Sequence, residues 1–102
     1  MSSISEIKEF NISRQQEIGR RIQDLRIEHG LTGAEIGAYL NVTSNQISRI
    51  ETGKVKCKLE YLYILAQVFD CSADYLLFGK EIESKYTQEQ MNHIDALIAS
   101  FR

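Results

Sequence analysis

Residues 32–53, TGAEIGAYLNVTSNQISRIETG, leave the chain few ways to fold. Thr32 is suited to cap a helix. Glu35, three residues on, completes a capping box in which hydroxyl and carboxylate each accept the other residue's backbone N–H. Ile36 and Leu40, four apart, give that helix, Gly33 to Leu40, an apolar face. Asn41 tolerates a left-handed turn, Val42 offers a core contact, and Thr43 caps a second helix of roughly residues 44–52. Steps of about 100° per residue put Ile47 and Ile50 on one side of it and Asn45, Ser48, Arg49 and Thr52 on the other. Gly53 stops it. A turn this short, capped on both sides, suits two helices that cross steeply.

The rest of the chain reads as helix too. Proline is absent, and no stretch alternates as a strand would. Ile4, Ile7 and Phe10 stand three apart, so the first dozen residues either form a short helix packed on the domain or fray. Helix 1 is placed from Ser13, as N-cap, to His29, with Gly30 as its left-handed stop. Its buried stripe is Ile18, Ile22 and Leu25, and Arg14, Arg20, Arg21, Gln23, Asp24 and Glu28 lie on its surface. Leu31 enters the core. Gly37 marks a place where another helix can approach closely. Leu59, Leu62, Leu65, Ala66 and Phe69 mark helix 4. Ser72 or Asp74 opens a short helix 5 with Tyr75, Leu76 and Phe78, ending at Gly79. Lys80 to Lys85 is a linker candidate. Thr87 and Gln90 then start a last helix whose apolar face is Met91, Ile94, Leu97, Ile98 and Phe101.

At 102 residues the chain fits one domain with a modest core. The expected division is an N-terminal extension over 1–13, a helix-turn-helix domain over 14–79 with its motif at 33–52, and a linker with an amphipathic helix over 80–102. No apolar run approaches a membrane span, and residues 2–12 lack the core of a signal peptide. Cys57 and Cys71 show neither zinc-ligand nor redox spacing and are read as reduced thiols of a cytoplasmic protein. No carboxylate pair, Ser/His/Asp set, phosphate loop or metal cluster stands at usable spacing, so no enzyme, no cofactor and no metal is expected. His29 is read as a helix-end residue and His93 as a surface one.

The net charge of −2 weighs against nucleic acid for the chain as a whole. Its distribution does not. Residues 13–58 carry eight basic against five acidic side chains, whereas residues 59–102 carry three against seven. The helix-turn-helix lies in the positive part, and screening within about 8 Å makes the local balance the relevant one. A second helix with a hydrogen-bonding outer face fits the major groove of DNA. An excess of three positive charges in that part implies moderate affinity per copy and a need for two copies.

The string IGRRIQDLRIEHGLTGAEIGAYLNVTSNQISRIETGK, followed by LEYLYILAQVFDCSADYLLFG, resembles the lambda-repressor-like (Cro/repressor, or Xre) DNA-binding domain. The resemblance rests on LR before the Gly-Leu-Thr corner, ISRIE closing helix 3, the Gly-Lys after it, and DYLLFG. It implies a five-helix domain whose third helix enters the major groove, usually as a symmetric dimer on a palindromic operator. Carried over, Thr43, Ser44, Asn45, Ser48 and Arg49 are the base-reading positions. Thr32, Gly33, Thr52, Lys54 and Lys56 are the phosphate-binding ones, in keeping with the positive ends of helices 2 and 3. Arg26 and Glu51 resemble the family's structural ion pair. Two departures stand out: Gly33 replaces the usual Gln, which removes a phosphate contact, and the Pro before helix 4 is missing from KCKLEYL. Lys54, Lys56 and Lys58 read either as a phosphate clamp or as a solubilising run, and Cys57 lacks any visible cause for an activated thiol.

The leading expectation is a sequence-specific homodimeric repressor, with double-stranded DNA as its partner. The alternatives are an antitoxin whose acidic residues 80–102 neutralise a protein partner while the dimer represses its own operon, and a protein-interaction module that does not bind DNA. The apolar face of the last helix either folds back on the domain or pairs with its copy. Pairing is favoured, because Ile18 to Gly79 already forms a complete unit.

Overall fold

The computed structural model describes residue 4 and residues 7–80. Five helices follow one another: α1 (Ile12–Glu28), α2 (Gly33–Leu40), α3 (Ser44–Glu51), α4 (Leu59–Val68) and α5 (Ala73–Phe78). No strand occurs among the described residues, and the architecture is all-α. The stripe Met91, Ile94, Leu97, Ile98 and Phe101, together with His93 and most of the expected linker, lies outside the described residues.

Helix α1 begins one half-turn earlier than the sequence suggests. Asn11, not Ser13, is its N-cap: Asn11 Oδ1 accepts from the Arg14 N–H at 3.1 Å. Before it, Ile4, Ile7 and Phe10 stay exposed and residues 8–10 are irregular, so no helix over 8–10 packs on the domain. At the other end Gly30, at φ +69°, closes α1 in a Schellman arrangement, with Gly30 N–H bound to Ile27 O and Leu31 N–H to Arg26 O, both at 3.0 Å. The same closure recurs after α3, through Gly53, and after α4, where Asp70 takes the left-handed position. His29 is the C-cap of α1, and its ring packs 5.3 Å from that of Phe69.

Ile18, Ile22 and Leu25 of α1 meet Ile36, Leu40, Ile47, Ile50, Leu62, Leu65, Phe69 and Leu76 in one core, with Tyr61 at its edge and Leu31 and Val42 packed against it. Each aliphatic side chain taken fully from water contributes about 1.5–3 kcal/mol. Two of the six most deeply buried, Ile47 and Ile50, belong to α3, so that helix is held by its rear face. Leu59 and Phe78, apolar by sequence, do not join: both sit at helix ends and are 83% and 60% exposed. Of the two openings offered for helix 5, Ser72 is used, its Oγ accepting from Tyr75 N–H.

Helix α3 lies between α2 and α1, and α5 packs on α1 and α4. Gly19 makes the α1–α3 approach possible, since a Cβ there would stand 2.6 Å from the Glu51 carbonyl oxygen. Gly37 serves a different partner from the helix expected. A Cβ on it would lie 2.5 Å from the Val42 carbonyl oxygen, so the main chain that comes close is the α2–α3 turn itself. Arg21, read as a surface residue, is half-buried instead. Its Nε donates to Leu76 O at 2.9 Å and its Nη2 to Leu77 O at 2.8 Å, holding the negative end of α5 against α1.

Candidate nucleic-acid interface

The outer surface of α3 is built by its caps and its rear. Thr43 is extended, and its Oγ1 accepts from the Gln46 N–H at 3.1 Å. Asn41, at φ 57° and ψ 44°, turns the chain left-handed between α2 and α3. With Ile47, Ile50 and Glu51 buried, the helix turns Ser44, Asn45, Ser48 and Arg49 to solvent, and none of these side chains has a hydrogen-bond partner among the described residues. Four polar groups left unpaired on a helix fixed from behind are free to bond something outside the chain.

Glu51 explains how that rear is fixed. It is 6% exposed, a depth at which a carboxylate needs partners. Arg26 Nε donates to Glu51 Oε2 at 2.7 Å and Nη2 to Oε1 at 3.1 Å, while Nη1 donates to Leu31 O at 3.0 Å. The hydrogen bonds that Arg26 donates to Glu51, with the carboxylate's charge, push the Arg26 pKa up against the opposing effect of burial. The structure thus brings together the two residues whose pairing the resemblance implied.

The positions carried over as phosphate-binding are placed unevenly. Thr32 Oγ1 accepts from Glu35 N–H and Glu35 Oε1 accepts from Thr32 N–H, both at 3.1 Å, so the capping box at the start of α2 is formed. Gly33 faces only ordinary contacts, the nearest being Ser44 Cβ at 3.8 Å from where its own Cβ would be, so nothing in the packing demands a glycine. Thr52 donates its hydroxyl proton to Ser48 O at 2.8 Å and must turn away from it to donate to a phosphate. Lys54 and Lys56 are exposed.

Several of the charges counted in residues 13–58 are already engaged. Arg26 is in its buried pair, Arg21 holds α5, Arg14 meets Glu17 at 3.2 Å, and Lys58 Nζ lies 5.6 Å from the Tyr61 ring centre. Arg20, Arg49, Lys54 and Lys56 remain without an ion-pair partner among the described residues, and three of these four lie on α3 or just after it. Cys57 is a thiol whose burial pushes its pKa up to about 11, the opposite of what a redox switch requires.

Two residues of this surface escaped the sequence reading. Gln15, in the first turn of α1, donates from Nε2 to the Gly53 carbonyl at 2.6 Å, and Gly19 lets α1 and α3 touch. A small residue one position after the Ile18 of the buried stripe was the only sign of the second.

Two capped helices joined by a three-residue turn, with the second helix locked inward and polar outward, define a helix-turn-helix module. A helix-turn-helix family model matches residues 22–76, more than half of the chain. Among solved structures, the chain is similar to the P22 c2 repressor protein in complex with a synthetic operator, at 32% identity and TM-score 0.59, over 64% of this chain and 98% of that one. It is also similar to a transcriptional regulator from Listeria innocua, at 25% identity and TM-score 0.59, over 84% and 92% of the two chains. Among curated proteins it is 29% identical over 77 residues to an uncharacterised HTH-type transcriptional regulator of Rickettsia conorii, covering 72% of this chain and 62% of that protein. It is 28% identical over 75 residues to the HTH-type transcriptional regulator ImmR of Bacillus subtilis, covering 74% and 59%. The chain therefore spans about three fifths of the length of these curated relatives. The chain belongs to the lambda-repressor-like helix-turn-helix family, a family of DNA-binding domains and not of enzymes. No helix among the described residues is long and apolar enough to cross a membrane.

Proposed function

We propose that this chain is a transcriptional repressor that binds a palindromic operator as a homodimer, with α3 in the major groove of each half-site. One observation carries the reading: Ser44, Asn45, Ser48 and Arg49 face solvent with no partner among the described residues, on a helix whose rear is fixed by Ile47, Ile50 and the Arg26–Glu51 pair. In this reading Asn45 bonds the N6 and N7 of an adenine, Arg49 a guanine or a phosphate, and Ser44, Ser48 and Thr43 support them. Gly33, Thr32, Thr52, Lys54 and Lys56 line the sugar-phosphate backbone. Similarity to the P22 c2 repressor, solved in complex with a synthetic operator, supports DNA as the ligand. Few free cations support the dimer, because each phosphate neutralised adds only one unit to the salt dependence.

Selection of bound sites from random duplexes, followed by mobility-shift titration, tests this. Asn45→Ala is expected to lose about 1–3 kcal/mol of discrimination at one base pair per half-site. Lys56→Ala is expected to weaken every sequence alike and lower the salt slope by about one unit. Binding of all operator variants by Asn45→Ala as by the parent would overturn the base-reading assignment. Absence of salt-dependent DNA binding would point to a protein-interaction module instead.

A further inference from the structure

The segment that leaves α3 is anchored to the far end of α1. Gln15 reaches across 38 residues of sequence to donate to the Gly53 carbonyl at 2.6 Å. Gly53 occupies the left-handed position that closes α3, at φ +74°, and it is buried against the next residue of α1. A Cβ on it would stand 2.5 Å from Gln16 Cγ, 2.8 Å from Gln16 Cα and 3.0 Å from Gln16 N. Gly53 therefore packs closely on both the main chain and the side-chain stem of Gln16, and a larger residue would not fit. Lys54 follows at once, its N–H bound to Arg49 O at 2.9 Å. A carbonyl just past a helix end ordinarily faces water. Here it is held by an amide from another helix, at the place where the chain turns from the recognition surface toward Lys54 and Lys56.

We propose that Gln15 is a positioning residue for DNA binding: by holding the Gly53 carbonyl it fixes the path of Lys54 and Lys56 along the phosphate backbone. The inference rests on the reading of α3 and its following segment as the DNA-binding surface. Arg26–Glu51 restrains the rear of α3, whereas Gln15–Gly53 restrains its exit, and together they set both the tilt of the helix and the point from which the two lysines start. Gln15 touches no ligand itself. Its effect passes through the main chain at Gly53.

The experiment uses the full chain and the duplex selected by the parent protein. Gln15→Met keeps length and removes the donor, and Gln15→Glu places an acceptor against an acceptor. Loss of one hydrogen bond of ordinary net strength is expected to weaken binding about 2- to 10-fold in Gln15→Met, and more in Gln15→Glu. In a Lys54→Ala/Lys56→Ala background the same change is expected to cost less than about 2-fold, because both groups it positions are gone. Amide hydrogen exchange in the free protein should rise at Gly53 and Lys54 in Gln15→Met, while the buried turns of α1 keep their protection. Parental affinity in Gln15→Met overturns the proposal, as does a loss of equal size with and without the two lysines, which a merely structural role would give. Failure of the parent itself to bind DNA in a salt-dependent way would instead remove the reading on which the proposal rests.

Discussion

Gly19 of α1 lies directly against the main chain of Glu51 in α3, with room for a hydrogen atom and nothing larger. The contact sets the distance between the two helices, and Arg26 closes it from the side. A methyl group placed there meets the Glu51 carbonyl oxygen at 2.6 Å and its carbon at 2.8 Å, atoms of main chain that cannot swing away.

Gly19→Ala should therefore destabilise the fold by about 1–3 kcal/mol through overpacking, despite the better helix propensity of alanine. Gly33 supplies the contrast: its surroundings begin at 3.8 Å, so Gly33→Gln should fold as the parent does and gain DNA affinity through one added phosphate contact. Urea denaturation of both variants, with a binding titration of the second, checks the pair.

The Arg26–Glu51 pair yields an asymmetric expectation. Arg26→Met leaves the Glu51 carboxylate buried and unpaired, which should cost about 3–5 kcal/mol. The double variant Arg26→Met/Glu51→Leu removes both charges and should recover a large part of that loss. Chemical denaturation of the two single variants and the double one measures the coupling, and a double variant as weak as Arg26→Met would contradict it.

Arg21 joins α1 to the last carbonyls of α5. Arg21→Met keeps most of the stem and removes two charge-assisted hydrogen bonds, at 2.9 and 2.8 Å, so a loss of about 1–3 kcal/mol is expected. The accompanying sign is faster amide exchange at Gly79, whose N–H closes α5 on Tyr75 O.

The Cys57 thiol, pushed to about 11 by burial from an ordinary 9.0, holds its proton more tightly folded than unfolded. Its contribution to stability is complete below about pH 9 and is lost as pH rises through about 11. Cys57→Ala should accordingly show a shallower fall in stability from pH 8 to pH 11 than the parent. At pH 8 the raised pKa leaves about 100-fold less thiolate than in the unfolded chain, so alkylation of native Cys57, followed by peptide mass spectrometry, should be slow.

What the sequence announced and what it concealed separate along one physical line. The limits of α2 and the start of α3 are encoded locally, by Thr32, Glu35 and Thr43 acting within three residues, and they fall where the pattern places them. Asn11 and Ser13 are equally good caps by preference, so local chemistry does not choose between them, and the structure starts α1 at Asn11, whose Oδ1 accepts from Arg14 N–H. Gln15 and Arg21 make contacts across 38 and 55 residues, and no period or spacing reports those. Leu59 and Phe78 mark their helices correctly, but apolarity does not report burial; a helix end can carry such a residue past the edge of its neighbour, and both are mostly exposed. Gly37 was legible as a close approach but not as an approach by its own turn, since the partner appears only once α2 and α3 have crossed.

Among the described residues, the hydrogen bonds that hold α3 in place involve Thr43, Glu51, Arg26, Gln15 and Gly53, and none uses a side chain of Ser44, Asn45, Ser48 or Arg49. Scaffold and vocabulary are therefore inherited separately. On the proposed reading of α3, exchanging those four side chains for another set should redirect the chain to a different stretch of DNA while its melting behaviour stays almost unchanged, so descendants of one such gene could diverge in target without passing through an unfolded intermediate.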